Sequence, residues 1–164
     1  MPKSQPNSNT CHIPDKCPKI LAVDDIQDNL DLIQELFEDE PWNVKTVDNA
    51  RDALAEIKHW HPDLVLLDIM MPEFNGHNLC TAIRMKPEMD DIAVIFLTAQ
   101  KTSDVDINRG MKMGADDYIC KPIDGEQLRK RVRAILQPRW LRRADANVGD
   151  QGTQLIGSAG GGNA

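Results

Sequence analysis

No stretch of this chain is apolar for the length a bilayer crossing needs, and the opening residues Met1-Pro2-Lys3-Ser4-Gln5 carry no apolar signal core. The expectation is a cytoplasmic protein with no membrane partner. A basic surplus is also missing: Lys and Arg number 19 against 26 Asp and Glu, a formal charge of −7. That balance argues against direct nucleic-acid binding and suits a site that holds a cation. The four cysteines, Cys11, Cys17, Cys80 and Cys120, form no C-x-x-C pair. Cys11-His12 with Cys17 lacks a second half for a metal site, so buried thiols in a reducing compartment are expected. There is no internal repeat and no sign of a second folded domain.

What is present is one domain's worth of chain, 164 residues long. Residues 1–18, rich in Pro, Ser and Asn, read as a disordered leader, residues 19–137 as the folded domain, and residues 138–164 as a mostly disordered tail. Trp140 and Leu141, amid arginines, read as a frayed extension of the last helix. Within the domain, Lys19-Ile20-Leu21-Ala22-Val23, Asp63-Leu64-Val65-Leu66-Leu67-Asp68 and Ile92-Ala93-Val94-Ile95-Phe96-Leu97 are short apolar runs without polar alternation, as in strands buried on both faces. Residues 43–47 form a more polar, edge-like strand, and residues 117–120 a fifth.

Helices alternate with them. Residues 28–38 present Leu30, Ile33, Leu36 and Phe37 on one face, and residues 50–59, capped by Asp48 or Asn49, present Ala53, Leu54 and Ile57. A third helix turns Leu79, Ile83 and Cys80 inward and ends before Pro87. A fourth starts at Thr102 or Ser103, with Asp106 completing a capping box; it carries Ile107 and Met111 inward and closes at Gly114. Asp124 caps a fifth with Leu128, Val132, Ile135 and Leu136 at helical spacing. Five strands alternating with five helices predict an α/β fold, a doubly wound parallel sheet covered on both faces.

In such sheets chemistry gathers beyond the carboxyl ends of the strands. Asp24 and Asp25 follow the first strand, Asp68 the third, Thr98 the fourth and Lys121 the fifth. A lone Asp at a strand end would ordinarily be read as a loop cap. Carboxylates crowded with a lysine at one crevice ask for a hard cation, and Mg²⁺ suits them. A carboxylate beside Mg²⁺ and a lysine is an arrangement for phosphoryl transfer to oxygen, giving an acyl phosphate that water can hydrolyse. Thr98 can donate a hydrogen bond to the transferred group.

The motifs Val23-Asp24-Asp25, Leu66-Leu67-Asp68-Ile69-Met70-Met71-Pro72 with Gly76, Phe96-Leu97-Thr98-Ala99, and Gly114-Ala115-Asp116-Asp117-Tyr118 running into Lys121-Pro122 occur in order. From Lys19 to about Gln137 the chain resembles the receiver domain of two-component response regulators. The resemblance implies a flavodoxin-like sheet in the order 2-1-3-4-5. It implies that Asp68 is the phosphoacceptor and that Asp25 and Asp68 bind Mg²⁺ directly, with Asp24 acting through water and the Met70 main-chain carbonyl as a further ligand. Thr98 and Tyr118 look like the switch pair, Lys121 would sense the phosphoryl group, and the Lys121-Pro122 bond would be cis. A histidine kinase or phosphotransfer protein would be the donor. The output surface would be the fourth helix, fifth strand and fifth helix, facing a protein target that the sequence does not name or a second copy in a homodimer. The resemblance also places Met70 and Gln100 at positions that in this family influence how fast water reaches the acyl phosphate, and an apolar Met70 there implies slower self-hydrolysis.

A single-domain switch with no outside substrate is therefore expected. A phosphatase of the haloacid dehalogenase type is disfavoured, because that class places an acid where Met70 stands. A phosphorylation-independent adaptor on the same fold is the alternative. Asp116-Asp117 reads as a solvated turn, His59-Trp60-His61 as an ordinary helix end, and His77 as a surface residue.

Overall fold

The computed structural model describes residues 17–72, 75–99 and 103–151. β1 (Lys19–Val23), α1 (Gln27–Leu36), β2 (Asn43–Val47), α2 (Ala50–Trp60), β3 (Leu64–Asp68), α3 (Gly76–Arg84), a 3-10 turn (Pro87–Met89), β4 (Ala93–Thr98), α4 (Asp104–Lys112), β5 (Asp117–Cys120) and α5 (Gly125–Gln151) follow in order. The sheet runs β2-β1-β3-β4-β5 with every neighbour parallel, the doubly wound order expected.

The apolar runs become central strands because both faces of the sheet are covered, and side-chain alternation sorts them. Ile20, Ala22, Leu64, Leu66, Ile95 and Leu97 pack against Leu30 and Ile33 of α1 and Leu128, Val132 and Leu136 of α5. Leu21, Val23, Val65, Leu67, Val94 and Phe96 pack on the other face with Ala53 and Ile57 of α2 and Leu79 and Ile83 of α3. β2 lies at an edge and is only half-buried, as its polarity predicted.

The caps follow local chemistry. Asn49 Oδ1 accepts from the Asp52 N–H at 2.8 Å, so Asn49 rather than Asp48 starts α2. Ser103 caps α4 with Asp106 as its box partner, and the Asp124 carboxylate takes the N–H groups of Glu126 and Gln127. Gly114, at φ +101°, turns the chain out of α4 in a conformation that a side chain would strain.

Several expectations need correction. α4 buries Gly110 rather than Met111, which is exposed, while Ile107 is half-buried. α4 sits so close to the Phe96 ring that a Cβ at Gly110 would stand 3.0 Å from it, so any side chain there would have to displace the ring or the helix. α5 does not decay after Pro138 but continues through it to Gln151. Proline's fixed φ is compatible with a helix although its missing N–H weakens it, and Arg139 ties the next turn to the Asp116 carboxylate and the Asp91 carbonyl. Cys80 is a buried free thiol, Cys120 is exposed, and the buried Cys17 is disulfide-bonded, so the expected buried thiol holds for Cys80 alone of these three. The leader through residue 16, Gln100, Thr102 and the tail from residue 152 lie outside the described residues.

Candidate functional site

Parallel register sets the site. Val23 pairs with Val47 on one side and Leu67 on the other, Asp68 with Leu97, and Thr98 with Cys120, so β1, β3, β4 and β5 stop at one level. Whatever follows each strand is delivered to the same rim. Asp24, Asp25 and Asp68 each bring a carboxylate oxygen to a cluster whose members lie within 4.8 Å of one another. Asp24 is fully buried, Asp68 is buried and Asp25 is exposed.

Each charged group is held by a partner that fits its position. Asp24 Oδ1 accepts from the Ile26 N–H at 3.0 Å, and Oδ2 from Asn29 Nδ2 at 3.0 Å and Lys121 Nζ at 2.9 Å. Lys121 Nζ also lies 3.4 Å from Asp68 Oδ2, bridging the two acids. Asp68 Oδ1 takes the Met70 N–H at 3.0 Å. Burial pushes the Asp68 carboxyl above the ordinary carboxylate range; the Met70 hydrogen bond pulls it back, the Asp24 charge adds to the rise, and Lys121 opposes it.

The expected switch residues flank this cluster. Thr98 is buried, and its Oγ1 donates to Cys120 Sγ at 3.7 Å across the β4–β5 pairing. Tyr118 is half-buried against the α2–α3 side of the core. The Lys121-Pro122 bond is cis, and the Lys121 N–H donates to the Thr98 carbonyl at 2.6 Å. The Met70 side chain is 72% exposed. Beside Asp25 opens a cleft of about 610 Å³, lined largely by Ala50, Leu54, Met71 and Pro72, with Arg51 on its wall.

Three residues that matter here, Asn29, Cys120 and His77, escaped the sequence argument, and a fourth, Gly76, entered it only as part of a motif. Asn29 orients Asp24 from the first turn of α1, and no local pattern distinguishes it from a solvated asparagine. A Cβ on Gly76 would stand 2.5 Å from the Asp68 carbonyl oxygen, so its bareness lets α3 start against the acceptor strand. Cys120 is the hydrogen-bond partner of Thr98 by register alone. His77, expected at the surface, is buried with its ring edge-on to Phe96, because α4 covers the start of α3.

Three close hard-oxygen donors, one of them on a fully buried residue, fit a divalent cation of the Mg²⁺ kind, since Lys121 alone leaves the cluster with surplus negative charge. The sequence matches the family described as response regulator receiver domain over residues 20–133. It is 36% identical over 119 residues to the DNA-binding response regulator MtrA of Mycolicibacterium paratuberculosis, covering 73% of this chain and 51% of that protein. The chain thus spans about half the length of the curated relatives it matches. Among solved structures it resembles the Francisella response regulator 1452 receiver domain (TM-score 0.69, 29% identity, 74% of this chain and 98% of that one). It also resembles the Vibrio cholerae chemotaxis protein CheY4 (TM-score 0.68, 27% identity, 73% and 98%).

Proposed function

The chain belongs to the response regulator receiver domain family, and from that premise we propose that it is switched by phosphoryl transfer to Asp68 from a histidine kinase or phosphotransfer protein. The observation that carries the proposal is Asp68 itself, a buried carboxylate at the end of β3 that shares one lysine with a second buried acid. In the transfer an Asp68 oxygen attacks phosphorus, the O–P bond forms, the N–P bond of the donor's phosphohistidine breaks, and the imidazole leaves.

Asp24, Asp25, Asp68 and the Met70 main-chain carbonyl would hold Mg²⁺, which supplies neutralisation of charge on the transferring group. Lys121, already between Asp24 and Asp68, pairs with the phosphoryl oxygens as they arrive. Thr98 exchanges a weak sulfur acceptor, Cys120, for a charged oxygen, a gain that favours turning its hydroxyl toward Asp68. The half-buried Tyr118 follows into the space left, and the surface formed by α4, β5 and α5 changes for a protein target or a second copy. The relatives are named as DNA-binding; for the residues of this domain, acidic in balance, the output read here is a protein contact.

Intact-mass spectrometry after incubation with Mg²⁺ and acetyl phosphate tests the proposal. One labile phosphoryl adduct is expected on the wild type, and none on Asp68→Asn or in EDTA. No adduct from either acetyl phosphate or a histidine kinase would favour a phosphorylation-independent adaptor on the same fold.

A further inference from the structure

His77 is 9% exposed, and its Nε2 is buried without a hydrogen-bond partner among the described residues. Its ring stands edge-on to Phe96 at a centroid distance of 5.2 Å and an interplanar angle of 78°. Gly110 lies over both: a Cβ there would be 3.0 Å from the Phe96 ring and 3.6 Å from His77 Nε2. Gly110 is also the one buried residue of α4, while Val105 and Met111 are exposed. The helix is therefore seated chiefly on two rings, one of which can take up a proton.

A neutral imidazole with an unsatisfied nitrogen is tolerable in this seat. A cation is not, because an imidazolium needs an acceptor for each N–H and Nε2 has none among the described residues. β4 offers Phe96, which carries no charge. α4 brings Arg109, which repels an imidazolium, and Asp106, which attracts one but whose carboxylate already accepts from Ser103 Oγ at 2.7 Å. Among the described residues no further acceptor faces Nε2, and with Gly110 lying over the buried nitrogen, lifting Gly110 off would open it to water.

We propose that His77 is a proton-operated seat for α4: neutral, it lets Gly110 rest against Phe96, and on protonation it releases the helix from the sheet. Burial first, and Arg109 second, hold the imidazole below its ordinary value of 6.5, with Asp106 opposing. A folded-state value below the unfolded one means that the seat is complete above the ordinary histidine value and weakens as pH falls through it. The device needs no phosphoryl chemistry, so it stands or falls separately from the acceptor role of Asp68.

The test is amide hydrogen exchange of α4 in the full chain from about pH 7.5 to about pH 5, corrected for the intrinsic exchange rate, for the wild type, His77→Leu and His77→Gln. Wild-type protection across α4 should fall about ten-fold more than that of β1 and β3, while both variants, which cannot titrate, stay level. The histidine ring signal should titrate together with that loss. An equal loss in the variants, a titration that leaves α4 unchanged, or a ring that stays neutral until the whole chain unfolds would each overturn the proposal. If His77→Leu fails to fold, His77→Gln carries the comparison.

Discussion

Asp68 illustrates how a reactive position taxes the fold that holds it. Its carboxyl is raised chiefly by burial and further by Asp24, so the folded state holds its proton more tightly than the unfolded chain does. The stability contributed by the protonated form is present at low pH and lost as pH rises through the folded-state value, leaving an ionised group that opposes folding at neutrality. Asp68→Asn should therefore raise the melting temperature in EDTA, and Mg²⁺ should stabilise the wild type more than the variant. A melt by scanning fluorimetry in which the variant is the less stable of the two would contradict this account. Gly76 makes the complementary point, because a Cβ on it would stand 2.5 Å from the acceptor's own carbonyl oxygen. Gly76→Ala must push α3 or the Asp68 carbonyl aside, at about 1–3 kcal/mol in denaturant titrations, and should slow phosphorylation beyond what that loss explains.

At the scale of elements, the acids expected to be a solvated turn tie the sheet to its helices. Asp116 accepts from the Val94 N–H at 2.8 Å, from Arg84 Nη2 at 3.0 Å and from Arg139 Nη2 at 3.0 Å, joining β4, α3 and α5. Asp117 takes Arg131 Nη1 on both oxygens, at 2.7 Å each. Removing Asp116 leaves a buried strand N–H unpaired and takes one acceptor from each of two guanidinium groups, which keep their carbonyl partners. Asp116→Ala should cost about 1–3 kcal/mol, toward the lower end because the carboxylate is partly exposed. Urea unfolding checks it, and a neutral result would return the residue to a turn role. α4 differs from its neighbours in the opposite sense, since α1 buries Leu30 and Ile33 and α5 buries Leu128, Val132 and Leu136 where α4 buries only a glycine. An element so seated is the one that can move.

For the whole molecule, parallel strands ending level concentrate the chemistry on one rim, and α5 continues for 27 residues, from Gly125 to Gln151. Arg139 is the last described contact binding that extension to the domain, through Asp116 and the Asp91 carbonyl. A chain ending at Pro138 should lose about 1 kcal/mol relative to one ending at Leu141, because charged hydrogen bonds that are partly exposed contribute at that level. Both should still accept a phosphoryl group from acetyl phosphate. Loss of acceptor activity in the shorter chain would show that α5 beyond Pro138 supports the site itself.

The order of strands and helices, their approximate bounds and the convergence of Asp24, Asp25, Asp68, Thr98 and Lys121 were legible in the sequence. Short apolar runs alternating with amphipathic helices fit a parallel sheet covered on both faces, and such a sheet puts the strand ends on the same rim. Contacts set by register and by the approach of one helix to another were not legible, because they join residues with no local relationship in the chain. Thr98 meets Cys120 only because β4 and β5 pair in that register, and Asn29 meets Asp24 only because α1 folds back beside β1. His77 looks like any polar residue at the start of a helix. Its burial was decided by Gly110, thirty-odd positions away, whose missing side chain brings α4 down onto the ring.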